Sequence, residues 1–310
     1  MPDPVDSVDD LDPRQVLRGK LEAESLPPDF SREHPVLRYG YSSLNQTGRL
    51  YEPVFDERRL ESGDQKPEWP ADSPFAVCVT HDIDEIATQS VRKPLRQGLL
   101  RARGRLQASQ IDRPTVAQSG LTQAVLALAG GSLRAARNAF YRDPGPIQNF
   151  ERWLDLESRV GARSTLYVPP EESGESHVSD PVLRYDDEIQ FEGQVREFAD
   201  VLREVDDRGF EIGLHPTWYA FDDAEELAAQ KRQLESVLGH EVRSVRQHWL
   251  HYDVRKTPRA HAAAGFEYDS TLGVTGNVGF RFGTTYPWQL HDLNRGEDLD
   301  LFEVPLIAQD

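Results

Sequence analysis

The sequence has one cysteine, no long apolar run and a shortage of positive charge. Cys78 is the single cysteine among 310 residues, so an intramolecular disulfide and cysteine-based zinc motifs are both excluded. No stretch approaches the roughly 20 apolar residues of a membrane-spanning helix. The acidic N-terminus lacks the apolar core of a signal peptide. These absences predict a soluble, cytoplasmic protein.

Basic residues are too few to favour nucleic acid as the main partner. The chain carries 53 acidic and 35 basic residues, which gives a net charge of −18. Phosphate neutralisation needs clustered cations, so a globally acidic chain argues against nucleic-acid binding.

One segment departs from this acidic background. From Thr88 to Arg142 there are ten basic residues and one acidic residue, a local charge of +9 that leaves −27 for the rest of the chain. We interpret residues 88–145 as a basic helical insertion in a βα connection. Two interpretations of it stay open. It is either a solvated helical hairpin that pairs with the acidic body, or a surface that touches an anionic polymer or a membrane.

Composition and turn residues divide the chain into three predicted regions. Residues 1–30, rich in Asp and Pro, are predicted to be a mobile acidic lead-in, and residues 31–74 to be an N-terminal elaboration. Residues 75–310 are predicted to form the main domain.

Within the main domain, strand candidates alternate with helix candidates. The strand candidates are Phe75–Thr80, Ser164–Val168, Glu211–His215, Ser244–His248, Tyr268–Leu272 and Phe302–Leu306. The helix candidates are Ile147–Val160, Gln194–Asp207 and Asp222–Leu238. Such alternation predicts an α/β fold with parallel strands and helices outside, as an open sheet or a barrel.

The first predicted strand ends in an imidazole and two carboxylates within four residues, His81, Asp82 and Asp84. Residues two apart on a strand share a face, so Asp82 and Asp84 would lie together and repel each other unless a cation is near. A divalent metal removes the conflict, because one carboxylate can bind the ion while the other stays a base. The C-terminal ends of parallel strands are also where sites form in α/β proteins.

Two further strand ends carry matching groups. His215 ends one strand candidate, and Arg246 and His248 share a face at the end of another. Two histidines and one carboxylate, with a fourth position open, are the ligand set of catalytic zinc. The sequence therefore predicts a divalent metal, with zinc as the expected ion, held by one of the two carboxylates together with the histidines at these strand ends.

These residues resemble the motifs of the polysaccharide deacetylase family. Members of that family fold as a distorted (β/α) barrel and remove acetyl groups from N-acetylated sugars with a metal-activated water. The resemblance runs from about residue 75 to the C-terminus, interrupted by the basic insertion. It is closest to a divergent branch with His-Asp-x-Asp and Arg-Gln-His motifs. The fold that it implies is a distorted (β/α) barrel, incomplete at its C-terminus.

The resemblance also implies roles for the first cluster. Asp82 matches the catalytic base and Asp84 the metal ligand, with the second carboxylate one residue later than in the common motif. Arg246 stands in the place of the arginine that orients the base. Asp82 and Arg246 are therefore the predicted catalytic residues.

The second metal-binding motif of the family is only half present. His215 matches its first histidine, whereas Tyr219 replaces the second. His248 is our candidate for the remaining ligand, with His81 and Tyr219 as weaker alternatives.

Substrate contacts are predicted beside these motifs. Asp269 lies in a segment that looks like the fourth motif, whose Asp helps form the pocket floor. Arg281 lies in the aromatic-rich loop Gly279–Trp288, which suits sugar rings, although a packed surface loop is an equal alternative. Trp218 and Tyr219 complete the predicted substrate-binding set.

The fifth motif of the family, a Leu-x-His that supplies the general acid, is not found. We expect that the sequence stops before it; the alternative is that His251 or His291 supplies the acid.

The function that these observations predict is a metal-dependent hydrolase that removes an acyl group, N-acetyl above all, from a carbohydrate. A catalytically decayed carbohydrate-binding protein on the same fold is the alternative, because one histidine ligand and the acid motif are missing. Hydrolysis of a non-sugar amide is a third hypothesis. The sequence predicts no oligomeric state.

Overall fold

The structure, a computed structural model, describes most of the chain outside the basic insertion. The described residues are 7–25, 48–84, 99, 125, 128–130, 132–133, 150–171, 177, 180–181, 183–274 and 278–309. The predicted insertion lies almost entirely outside them, so both of its interpretations stay predictions.

The chain divides into two compact units, which are described separately below. The first unit comprises Met1–Cys78, Gly213–Arg232 and Glu241–Asp310. The second comprises Val79–Ile212 and Gln233–His240. Strands and helices are numbered along the chain.

Parallel pairing dominates the strands of the first unit. The end of β5 (Glu211–Leu214) pairs with β6 (Ser244–Val245), β6 pairs with β7 (Tyr268–Asp269), and β7 pairs with β9 (Glu297–Glu303), each in parallel. The strand β8 (Trp288–Asp292) is antiparallel to β9. β6 is buried on both faces, as is common for parallel strands, since Ser244 and Val245 are both buried. On β7, Asp269 is buried whereas Tyr268 is exposed.

The register of these strands brings their C-terminal ends to one edge. Leu214 pairs with Val245, Val245 with Asp269, and Asp269 with Glu303. The residues that follow β5, β6 and β7 therefore emerge at the same edge, where sites form in parallel sheets.

Several short helices flank the strands of the first unit. The α-helices are α1 (Pro13–Leu17), α2 (Lys20–Ser25), α3 (Asp56–Glu61) and α7 (Thr257–Ala263), and α6 (Ala224–Leu238) begins in this unit and ends in the second. The 3-10 helices are Val8–Asp10, Pro70–Asp72, Trp218–Asp222 and His248–Leu250. Asp223 caps α6, because its Oδ1 accepts hydrogen bonds from the backbone N–H groups of Glu225 and Glu226, each at 3.0 Å.

The N-terminal segment packs on the region before β8. Glu22 on α2 is buried and forms an ion pair with the buried guanidinium of Arg281. The indole N–H of Trp288 donates to the backbone oxygen of Leu17 at 3.0 Å. Residues 7–25, within the predicted lead-in, therefore fold as part of the first unit.

The elements that can be outlined in the described part of the second unit include a parallel strand pair, an antiparallel hairpin and two helices. The strands β1 (Thr80–Asp82) and β2 (Thr165–Val168) are parallel, with Asp82 opposite Tyr167. The strands β3 (Glu188–Phe191) and β4 (Gln194–Glu197) form an antiparallel hairpin. The helices are α4 (Phe150–Arg159) and α5 (Phe198–Asp207).

The helix α5 carries much of the core of the second unit. Phe198, Val201, Leu202 and Val205 recur at helical spacing and are fully buried. The sequence predicted this helix to begin at Gln194, which is wrong, since residues 194–197 form β4 instead. Glu192 and Gly193, between β3 and β4, both have positive φ and form a two-residue hairpin turn. Such a turn is followed by a second strand rather than a helix.

The first strand also differs from its prediction. Its apolar lead, Phe75–Val79, was expected to be a buried strand, but the side chains of Phe75 and Val77 are 67% and 73% exposed. Pairing with β2 begins only at Thr80, opposite Thr165. Without a pairing partner, an apolar run alone does not make a strand.

The fold is mixed α/β with mostly parallel strands. This agrees with the predicted class, whereas closure of the strands into a distorted barrel stays a prediction. Among the described residues, no helix is both long and apolar enough to cross a membrane.

Candidate metal centre

His215 emerges directly from the end of β5 and is buried. Its Nδ1 lies 2.6 Å from the backbone oxygen of Arg246. A carbonyl oxygen can only accept a hydrogen bond, so Nδ1 carries the proton and Nε2 presents its lone pair. Metal-binding histidines are commonly held in this way, with the other ring nitrogen donating to a carbonyl.

His248 begins the 3-10 helix that follows β6 and is also buried. Its Nδ1 lies 3.1 Å from the Nε2 of His215, and the two rings meet edge to face with centroids 5.0 Å apart. The two histidines, 33 positions apart in the sequence, therefore point ring nitrogens at one location.

Asp84 completes a cluster with these two histidines. One ligand atom from each of Asp84, His215 and His248 lies within 4.8 Å of the other two. Asp84 is exposed, whereas both histidines are buried. The three residues could hold a metal ion.

The donor set fits a divalent transition metal. Nitrogen ligands lie about 2.0–2.1 Å from zinc, so two of them on one ion must lie within about 4.2 Å of each other. The separation of 3.1 Å between the two imidazole nitrogens satisfies this limit. Two imidazoles and one carboxylate also match the three-ligand sites of catalytic zinc.

Arg246 is held by the loop that follows β7. Its Nε donates to the backbone oxygen of Ser270 at 2.8 Å, and its Nη2 donates to the Ser270 hydroxyl at 2.8 Å. The guanidinium is buried. A planar guanidinium fixed by two bonds keeps one orientation, which suits a positioning role.

Asp82 is the last residue of β1, and His81 precedes it on the opposite face. His81 Nε2 lies 2.6 Å from the Glu157 Oε1, and its ring stacks on Trp153 with centroids 4.8 Å apart. These contacts tie His81 to α4, so we do not retain it as an alternative metal ligand.

Two predicted substrate residues are engaged with the protein itself. Arg281 is buried and forms two hydrogen bonds with the carboxylate of Glu22. Asp269 is fully buried and accepts hydrogen bonds from His261 and Thr271. We therefore leave Arg281 and Asp269 out of the proposed substrate surface.

Trp218 and Tyr219 lie in the 3-10 helix that follows His215. Trp218 is buried and stacks on His251 with centroids 4.2 Å apart, while its backbone oxygen lies 2.9 Å from the His251 Nδ1. Tyr219 is half-buried. Their assignment as substrate contacts stays a prediction.

The two alternative general acids have different surroundings. His251 is fully buried and packs against Phe221 as well as Trp218. His291, on β8, pairs with the Asp298 carboxylate at 2.7 Å. The identity of the acid stays open between the alternatives of the sequence analysis.

Trp249 is a residue that the sequence analysis missed. It follows His248 directly, its side chain is 53% exposed, and the two rings meet edge to face with centroids 6.2 Å apart. Its backbone is left-handed, with φ 58° and ψ 21°, and Leu250 after it has φ 52°. Bulky residues rarely adopt this conformation, and such strain clusters at functional sites. The signal in the sequence was its position, because Trp249 directly follows the candidate ligand His248 and precedes His251.

A buried carboxyl lies next to this edge of the sheet. Glu303, the last residue of β9, pairs in register with Asp269 and accepts a hydrogen bond from the Leu272 N–H at 2.8 Å. Burial raises the pKa of Glu303 well above its ordinary value, and the Asp269 carboxylate raises it further. Burial also raises the pKa of Tyr252.

Comparison with known proteins yields little. No family model matches the chain. No curated protein matches it either. Among solved structures, a protein from Mycobacterium smegmatis provisionally described as a polysaccharide deacetylase is similar, with 19% identity and a TM-score of 0.43. The match covers 77% of this chain and 60% of that one. Similarity at this level establishes no family, so the proposals below rest on the residues.

Proposed function

We propose that this protein is a metal-dependent hydrolase that removes an acyl group, N-acetyl above all, from a carbohydrate. The convergence of one ligand atom each from Asp84, His215 and His248 within 4.8 Å supports the metal site. The resemblance of the surrounding motifs to those of polysaccharide deacetylases supports the reaction and the substrate class.

Asp84, His215 and His248 would hold the ion, with zinc as the expected metal. When bound, such an ion polarises the acyl carbonyl and lowers the pKa of a water molecule toward neutrality. The hydrogen bond from His215 to the Arg246 carbonyl keeps its Nε2 in the ligating tautomer.

Asp82 acts as the general base in this proposal. It takes the proton of the water that attacks the carbonyl carbon, a role that requires an ionised carboxylate. By the motif resemblance, Arg246 is the residue that keeps Asp82 ionised. The two bonds that fix the Arg246 guanidinium to Ser270 are consistent with such a positioning role.

Trp249 supplies a contact for the sugar. Its indole is exposed beside His248, and an exposed aromatic face suits the apolar face of a sugar ring. The left-handed backbone of Trp249 supports this assignment, because strained conformations cluster at ligand-binding sites.

Metal analysis of the purified protein tests the proposal. We expect one equivalent of zinc in the wild type and its loss in Asp84→Ala. Asp300→Ala, which removes an exposed carboxylate on β9, should retain the metal. The zinc-loaded wild type should release acetate from N-acetylglucosamine oligomers, whereas absence of both zinc and acetate release would overturn the proposal.

The same measurements address the alternative of the sequence analysis. Metal-free protein that binds N-acetylglucosamine oligomers without releasing acetate would favour a carbohydrate-binding protein. Acetate release from a simple acetamide, but not from the sugar oligomers, would instead favour hydrolysis of a non-sugar amide.

A further inference from the structure

A closed ring of hydrogen bonds in the first unit includes the residue directly before His248. Its members are Asp269 at the end of β7, Thr271 two residues later, His261 on α7 and Gln247 after β6. All four are fully buried, with 0% exposure. Each is bonded to the next, so the ring joins three structural segments: the residues after β6, the helix α7 and the end of β7.

The bonds of the ring can be followed in order. The Asp269 Oδ2 lies 2.7 Å from His261 Nδ1, and His261 Nε2 lies 2.7 Å from the Gln247 side-chain amide. The Gln247 backbone N–H donates to the Thr271 hydroxyl at 3.0 Å. The Thr271 hydroxyl in turn donates to the Asp269 Oδ1, which also accepts the Thr271 N–H at 3.0 Å.

The ring fixes Gln247 at two points, through its backbone and through its side chain. Asp269 can only accept when ionised, so His261 Nδ1 carries a proton. His261 Nε2 is then free of a proton and accepts a hydrogen bond from the Gln247 side-chain NH2 group. The nitrogen and oxygen of that amide are assigned from the hydrogen-bond pattern. Because buried polar groups are costly without partners, each member of such a ring holds the others in place.

Gln247 is the residue directly before His248. The two residues after His248 have left-handed backbones, Trp249 with φ 58° and Leu250 with φ 52°. The backbone N–H of Leu250 also donates to the backbone oxygen of Gln247 at 2.9 Å. A strained backbone conformation persists only where surrounding contacts hold it in place. The ring supplies such contacts at Gln247, directly before the strained residues and His248.

We propose that Asp269, His261, Gln247 and Thr271 are positioning residues that hold His248 in the orientation required to bind the metal. This inference rests on the proposed metal site, and it gives the ring a role beyond stability. Outer hydrogen-bond partners of metal ligands commonly change metal affinity by 10–100-fold. The ring would act one residue further out, through the backbone of Gln247.

Two substitutions break the ring with little change in volume. Thr271→Val removes the hydroxyl that joins Gln247 to Asp269, and Gln247→Met removes the amide that meets His261. Thr284→Val is the control, because the buried Thr284 hydroxyl also donates to an aspartate, Asp56 at 2.6 Å. It accepts N–H groups from Arg59 at 2.8 Å and from Tyr286 at 3.2 Å.

The experiment measures the zinc dissociation constant by competition with a chromophoric chelator, and the thermal midpoint of each metal-free protein. We expect Thr271→Val and Gln247→Met each to weaken zinc binding about tenfold or more. Thr284→Val should lower the thermal midpoint to a similar degree yet bind zinc within about twofold of wild type. Thr271→Ser, which keeps the hydroxyl that Thr271→Val lacks, should bind zinc as tightly as wild type.

The outcomes separate this inference from the proposed function. If wild type binds zinc and both ring variants bind it equally tightly, the inference fails while the metal site stands. If Thr284→Val weakens zinc as much as Thr271→Val, the effect is general destabilisation and the inference also fails. If wild type binds no zinc, both proposals fall. Should Thr271→Val not fold, Gln247→Met decides the question.

Discussion

The Nδ1 of His248 lies 3.1 Å from the Nε2 of His215, although 33 positions separate the two residues in the chain. The parallel pairing of β5 with β6 accounts for this, because it brings the residues that follow both strands to one edge. Together with Asp84, these two buried imidazoles could hold a metal ion.

The first prediction concerns this pair. His248→Ala removes one nitrogen ligand and should weaken zinc binding by about 100-fold or more, since even outer partners of metal ligands change affinity by 10–100-fold. Chelator competition measures the effect. His240→Ala is the control, because His240 is an exposed histidine that pairs with Asp206. Unchanged zinc affinity in His248→Ala would remove this residue from the ligand set.

The second prediction concerns the base. Asp82→Asn keeps the shape of the side chain but cannot take a proton, so acetate release should fall by about 10²–10⁴-fold while zinc stays bound. Rates are compared at equal zinc occupancy, with Asp300→Asn as the control. Full activity in Asp82→Asn would exclude this assignment of the base.

The third prediction concerns the exposed indole. Trp249→Ala should raise the KM for N-acetylglucosamine oligomers by roughly 2–10-fold, which is the size of a single aromatic contact. Its kcat and zinc affinity should change less. Trp249→Phe should keep most of the affinity, and Tyr51→Ala, which truncates another exposed aromatic, should leave KM unchanged. A fall in kcat with no change in KM would contradict a sugar-stacking role.

The fourth prediction concerns pH and Glu303. Its folded-state pKa lies well above the ordinary value of 4.5, chiefly because of burial. The folded protein therefore binds this proton more tightly than the unfolded chain does. The resulting stability is fully present below about pH 4.5 and is lost as the pH rises through the raised pKa.

Glu303→Gln removes this dependence, because glutamine mimics the neutral acid. The free energy of unfolding of Glu303→Gln relative to wild type should increase above about pH 4.5, by at most about 1.4 kcal/mol per pH unit. Urea unfolding at a series of pH values measures it, with the exposed Glu297→Gln as the control. A difference that does not vary with pH would contradict the prediction.

The fifth prediction separates a structural from a substrate role for Arg281. Arg281→Met leaves the Glu22 carboxylate buried without its partner, which should cost about 3–5 kcal/mol of stability. Arg184→Met, which breaks an exposed pair with Asp186, should leave the free energy of unfolding nearly unchanged. An Arg281→Met variant of normal stability with a raised KM would return Arg281 to the substrate-binding set.

Much of the site could be predicted from the sequence because its residues lie at strand ends. His215 directly follows β5, and the parallel register brings it to the edge at which the residues after β6 emerge. The prediction of a strand over Ser244–His248 is wrong, because β6 ends at Val245 and His248 begins a 3-10 helix three residues later.

Other features depend on contacts that no local pattern reveals. The exposure of Phe75 and Val77 depends on where β1 finds its partner, and β1 spans only Thr80–Asp82. The burial of Arg281 depends on Glu22, which lies 259 positions earlier in the chain. A charged residue in an aromatic-rich loop suggested a ligand contact, but the buried partner could be identified only in three dimensions.

The left-handed turn at Trp249 and Leu250 has a consequence for how this protein can vary. Each such backbone conformation costs of order 1–3 kcal/mol. Glycine at position 249 would relieve that torsional cost and raise heat resistance, yet it would delete the exposed indole. Selection for thermal stability alone should therefore favour glycine at position 249. Selection for ligand binding should keep an aromatic residue there.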